Sequence, residues 1–145
     1  MTKTILIATD YSLESLNILK KVMRGKDAAE DQNQYNIILV SGYDMGDSIR
    51  DLLFNTKSTI FNKLRPQDFC EAYAIIKNKY PHLINKIVCD IFTGSFQRTF
   101  NNYIKAENIE EAYYSTSIKS KGNGKFDLIP YIKKCKDLKS YEISV

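Results

Sequence analysis

The chain is poor in the residues that most directly announce chemistry. Its one histidine, His82, follows Pro81 in a segment that reads as a loop, so a zinc site or a histidine-based catalytic triad has almost nothing to build on. The cysteines, Cys70, Cys89 and Cys135, are odd in number and show no C-x-x-C spacing. Such a set reads as reduced thiols in a cytoplasmic protein. Glycine is scarce, and none stands in Thr9-Asp10-Tyr11-Ser12 after the first apolar run, which excludes the G-x-G-x-x-G dinucleotide fingerprint there. No apolar run approaches the roughly 20 residues of a membrane span. One lysine and a short apolar run that reaches Asp10 predict no secretory signal. A membrane is therefore not an expected partner.

What is present bounds the answer from the other side. The 145 residues suffice for one domain, 1–145, with a real core and no need of staples or metal. The net charge of +4 is mild but uneven. Lys119, Lys121, Lys125, Lys133, Lys134, Lys136 and Lys139 face only Asp127 and Asp137 in that segment. A solvated helix face plus a loop accounts for this, with an anion-binding surface as the other reading. Nucleic acid is not expected, because no aromatics interleave the lysines and Tyr73, Tyr80 and Tyr103 fall at helical core spacing.

Apolar periodicity alternates along the whole chain. Strands are predicted at Thr4 to Thr9, Asn36 to Ser41, Lys86 to Phe92, Ala112 to Ser115 and Tyr141 to Val145. Helices are predicted from Leu13 to Arg24, in an interrupted stretch up to Tyr80, from Phe96 to Lys105 and from Leu128 to Lys136. Ser12 is the expected cap of the first helix and Gly25 its stop; Pro66 and Pro81 bracket the second, Phe96 opens the apolar stripe of the third, and Asp127 caps the fourth. Ile5-Leu6-Ile7-Ala8 and Ile37-Ile38-Leu39-Val40 are apolar on both faces. That pattern calls for a parallel sheet covered by helices on both sides, and right-handed crossovers make it doubly wound. The alternating Tyr141-Glu142-Ile143-Ser144-Val145 is expected at an edge, where unpaired backbone could join a second copy into a homodimer. The excursion from Tyr43 to Arg65 is expected to run over the surface, with one short helix near Ser48 to Phe54.

The first strand delivers an acid to the mouth of a helix. In open α/β sheets the crevice beyond the strands' carboxyl ends is where ligands sit, and a helix N-terminus there favours anions. Asp10 is thus a candidate contact. Its structural role would be to accept N–H groups of the turn.

With this element order and the opening Thr4-Ile5-Leu6-Ile7-Ala8-Thr9-Asp10-Tyr11-Ser12, the chain resembles the universal stress protein family, whose first strand also ends in an aspartate. The likeness in order spans nearly the whole chain; residue matching holds for Ile5 to Leu19 and loosely for Ile38 to Tyr43. The resemblance implies a three-layer, five-stranded parallel sheet with four helices, like that of the adenine-nucleotide alpha-hydrolases, in strand order 3-2-1-4-5. For a nucleotide it implies contacts at Ala8, Thr9, Asp10, Gly42, Ser115, Gly122, Gly124 and Lys125, and ATP with Mg²⁺ as the ligand. The family's ATP binders carry a loop of G, two residues, G, nine residues, then G with Ser or Thr. Here Ser115 and Ile118 stand at the first two glycines, and only Gly124, followed by Lys125, could match the last. A β-branched Ile118 restricts backbone and space where phosphate would approach.

Competing chemistries lack their residues. A receiver domain needs a second acid beside Asp10 and an aspartate closing the third strand, yet Tyr11 and Phe92-Thr93-Gly94 stand there. The sequence therefore predicts a dimeric binding or regulatory module without efficient ATP binding and without enzymatic turnover. The alternative is a nucleotide-binding stress protein with slow phosphohydrolase activity, using Asp10 and a cradle from Ser115 to Lys125.

Overall fold

The computed structural model describes residues 1–44, 66–94, 96–118 and 125–145. Strands β1 (Thr2–Ala8), β2 (Gln34–Tyr43), β3 (Ile84–Phe92), β4 (Ile109–Tyr114) and β6 (Lys139–Glu142) form one parallel sheet in the order β3-β2-β1-β4-β6. The fifth parallel strand thus takes the expected outer place. An additional strand that the periodicity did not predict, β5 (Lys125–Phe126), runs antiparallel to β2.

Register explains the two-sided apolar runs. Ile5, Ile7, Ile37 and Leu39 project to one face, where they meet Leu16, Leu19, Val22 and Met23 of α1 (Leu16–Ala28) and Phe69 and Ile76 of α2 (Gln67–Lys79). Leu6, Ala8, Ile38 and Val40 project to the other. There they pack with Phe100 and Ile104 of α3 (Gln97–Ala106) and Ile129 and Ile132 of α4 (Ile129–Lys134). The arrangement is the expected three-layer α/β sandwich.

Several local expectations are corrected. The first helix begins at Leu16 with Ser15, not Ser12, at the cap, because the residues before it form tight i→i+3 turns: Leu16 N–H donates to the Leu13 carbonyl at 3.2 Å and Asn17 N–H to Glu14 at 3.0 Å. Gly25 does not stop that helix. The chain continues to Ala28 and leaves the helix around Glu30, whose φ is 53°. One interior glycine costs only about 1 kcal/mol, which the neighbouring burial of Val22 and Met23 outweighs. Phe96 lies outside α3 and is 71% exposed, so the stripe begins at Phe100. The fourth helix is shorter than expected; its cap position is Leu128, with Asp127 one residue earlier accepting the Ile129 N–H at 3.0 Å, and Cys135 turns extended to feed β6. The last strand begins at Lys139, and Ile143 N–H prolongs its ladder to the Tyr114 carbonyl at 2.7 Å. The expected helix near Ser48 to Phe54 lies outside the described residues.

His82 is exposed and 2.9 Å from Asp27, a surface pair with no nucleophile in it. The three cysteines are free thiols. No helix among the described residues is long and apolar enough to cross a membrane.

Phe100 is fully buried and meets Phe92 edge-on at 5.3 Å, so Phe100→Ala should cost about 3–5 kcal/mol in urea unfolding through lost burial and an unfilled cavity. Burial, reinforced by Asp31, Asp90 and Glu111 respectively, pushes the phenols of Tyr35, Tyr103 and Tyr113 well above the ordinary tyrosine value of about 10. The folded state therefore favours the protonated phenols. Their contribution is complete below about pH 10 and is lost as pH rises through the raised values, so an alkaline titration followed at 295 nm should show delayed tyrosinate absorbance and falling stability above about pH 10.

Candidate functional site at the carboxyl end of the sheet

The sheet reverses its winding beside β1: α1 returns over one face and α4, leaving β4, packs on the other. A ligand crevice belongs at the carboxyl ends of β1 and β4. Register places Ser115 level with Thr9 there, since Ile7 pairs with Tyr113.

The β1–α1 turn is held by its own side chains. Asp10 Oδ1 accepts the Ser12 N–H at 2.9 Å and the Ser12 hydroxyl at 2.5 Å. Ser12 Oγ in turn accepts the Ser15 N–H at 3.2 Å. Buried Thr9 and Ser15 share a hydroxyl hydrogen bond of 2.7 Å, and Thr9 Oγ1 accepts the Tyr11 N–H at 2.9 Å. Asp10 therefore fills its structural role as a turn acceptor, at the position that sequence marked as a candidate contact.

Tyr11 is the residue that sequence reasoning passed over. Its φ of 61° is left-handed, a conformation that costs a side-chain-bearing residue roughly 1–2 kcal/mol. Its compensation is burial to 1% exposure, an edge-on contact with Phe69 at 5.3 Å, and a hydroxyl whose one proton is shared between the carbonyls of Asp90 and, at 3.2 Å, Leu39. The only sequence signal was an aromatic in a turn between two polar residues.

Phe126 is the second such residue. β2 carries β1 along one edge as far as Val40, and β3 along the other as far as Gly42. β5 pairs with Gly42 and Tyr43, so it occupies the lane that β1 vacates after Ala8. The Phe126 ring and carbonyl cover Gly42: a Cβ there would come within 2.6 Å of the carbonyl oxygen and 2.8 Å of the ring. The same ring joins Phe92 at 6.2 Å and Tyr131 at 5.9 Å, extending the α3/α4 core across the end of the sheet.

The other expected contacts distribute as follows. Ala8 packs into the α3/α4 cluster. Ser115 is buried and its hydroxyl lies 2.9 Å from that of Ser117, while Ile118 is buried in the α1/α2 cluster. Lys125 is half-buried opposite Tyr43. The structure thus brings Thr9, Asp10, Gly42, Ser115 and Lys125 to one end of the sheet. Gly122 and Gly124 lie outside the described residues. No group of histidine, cysteine, aspartate and glutamate suited to a metal ion occurs among the described residues.

No family model matches the sequence, and no curated protein does. The fold has clear counterparts. A universal stress protein family member from Burkholderia pseudomallei superposes with a TM-score of 0.58 at 9% identity, covering 99% of this chain and 96% of its own. The universal stress protein UspA from Lactobacillus plantarum gives 0.58 at 10% identity over 98% and 97%. A universal stress protein family protein from Arabidopsis thaliana, solved with AMP bound, gives 0.55 at 12% identity over 97% and 90%. This chain has the universal stress protein fold, as its opening strand and element order implied.

Two substitutions test the local geometry. Gly42→Ala should displace β5 and cost about 1–3 kcal/mol, seen as lost hydrogen-exchange protection at Phe126 and a lower urea midpoint. Asp10→Ala should cost about 1 kcal/mol by releasing the Ser12 N–H, measured in the same way.

Proposed function

We propose that this chain is a universal-stress-type binding or regulatory module without catalytic turnover, whose affinity for ATP is weak because its own Phe126 lies where a ligand would reach β2. The observation that carries this reading is the contact of Phe126 with Gly42 in the lane beyond β1. Two further features support it. Ile118, at a position the family's ATP loop gives to glycine, is buried in the core, and a buried β-branched side chain offers no backbone approach to phosphate. Asp127 already holds the first free N–H of α4 with a carboxylate, a charge that repels phosphate.

A second reading keeps the nucleotide. The same fold carries AMP in the Arabidopsis protein, and in this chain Asp10, Ser115 and Lys125 converge on the carboxyl end of the sheet. On that reading ATP with Mg²⁺ binds, with slow or no hydrolysis. Both readings treat the chain as cytoplasmic and as a homodimer joined through the segment Tyr141 to Val145, whose strand β6 ends the sheet with no strand on its outer side among the described residues.

Calorimetric titration with ATP and Mg²⁺ decides between them. The wild type should show no saturable heat at millimolar nucleotide, and Phe126→Ala should bind more tightly than wild type. Saturable wild-type binding that Asp10→Ala abolishes would overturn the weak-binding reading in favour of the second. Light scattering should give twice the monomer mass, and substituting lysine for Tyr141, which is 43% exposed on β6, should shift the mass toward the monomer; a monomer at every concentration would refute the dimer.

A further inference from the structure

A groove of about 360 Å³ runs between α1 and the β4–β6 edge, on the face opposite α3 and α4. Val22 and Gly25 line it from α1, and Tyr113 and Ile143 from the other side. Lys21 lines one part of it while its ammonium donates to the Ser144 carbonyl, which ties the last residues to the helix.

Gly25 is the anomaly in this groove. It lies inside a helix that it weakens, it is not the stop, and beyond its own helix turn no atom of the described residues comes within 4 Å of where its Cβ would stand. Neither backbone conformation nor internal packing asks for glycine. The space above it is open and continuous with an aromatic and a branched aliphatic side chain.

Lys26, the next residue, supplies the polar end. Its side chain is only 14% exposed, with the ammonium 4.3 Å from the centre of the Tyr35 ring and 5.7 Å from that of Tyr113. The paired carboxylate oxygen, Glu111 Oε1, is 3.7 Å away, an ion pair too long to be a hydrogen bond. Among the described residues the three N–H donors of this ammonium thus have charge attraction but no short acceptor, and Lys26 lines the groove from which a ligand would reach them. The other acid of the groove, Asp31, already accepts the Tyr35 hydroxyl at 2.5 Å and the Asn33 backbone and side-chain N–H groups at 2.8 Å each. It has little left to offer Lys26.

We propose that this groove binds a small carboxylate with a flat apolar body: the body over Gly25 against Tyr113 and Ile143, the carboxylate on the Lys26 ammonium. A charged acceptor on an ammonium makes a stronger hydrogen bond than a neutral one, and a flat body matches a glycine floor with one aromatic wall. The site is separate from the crevice at the carboxyl end and does not depend on nucleotide binding there.

The test is a two-dimensional amide NMR titration of the full chain with phenylacetate, phenylacetamide and phenethylamine. Phenylacetate should give saturable shifts at Val22, Gly25, Tyr113 and Ile143. The amide should bind about tenfold more weakly and the amine more weakly still. Gly25→Leu should raise the melting temperature, by its better helix propensity, while abolishing the shifts. Lys26→Met, checked for a native spectrum, should reduce phenylacetate to the affinity of the amide. Equal response to all three probes, shifts that survive Gly25→Leu, or no saturable shift at millimolar phenylacetate would overturn the proposal. So would shifts at these residues that follow protein concentration without any probe, which would assign the groove to a second copy of the chain.

Discussion

The structure depends on β1 being satisfied on all four sides. Its two edges are hydrogen-bonded to β2 and β4, and its two faces are covered by different helical layers. Where both faces are covered the strand takes no polar residue, so Ile5 to Ala8 are apolar without alternation, while the less buried Thr2, Lys3 and Thr4 that open it are polar and the first carboxylate comes at Asp10. Every other element is placed by its relation to this strand: α1 and α2 on one side, α3 and α4 on the other, and the crevice where their directions part. The end of β1 is equally consequential, because stopping at Ala8 leaves β2 with an unpaired edge that something must fill.

The fold was legible because its signals are long. Two-sided apolar strands, amphipathic helices bracketed by Pro66, Pro81 and Asp127, and an edge strand with alternating residues each extend over enough positions for a period to emerge. Boundaries slipped where a local rule met a tertiary one. Gly25 would end an isolated helix, yet α1 runs on because its neighbours Val22 and Met23 are pinned to the sheet. Phe96 has the right spacing for the α3 stripe but precedes the helix, so its side chain points to solvent.

The site was legible only in part. Asp10, Gly42 and Ser115 could be placed near one another because each ends or directly follows a predicted strand. Phe126 could not be foreseen: a two-residue strand has no period, and its position comes from pairing with residues more than eighty positions earlier in the chain. Tyr11 was equally hidden, since a residue after a strand reads as loop and nothing local tells that its side chain turns back under the sheet. In both cases an aromatic ring from a connecting segment fills the mouth of the fold, and the residue that admits or compensates it lies on a different element.

Tyr11 also makes the two helical layers mechanically continuous. Its hydroxyl grips the main chain of Asp90 from the α1 side, while the carboxylate of that same Asp90 accepts the Tyr103 hydroxyl of α3 at 2.7 Å from the other. One residue of an outer strand is thus a rivet through the sheet, with the β1–α1 turn fastened to one head and α3 to the other. The β1–α1 turn and α3, which pack on opposite faces of the sheet, are thus tied to each other through a single residue of β3.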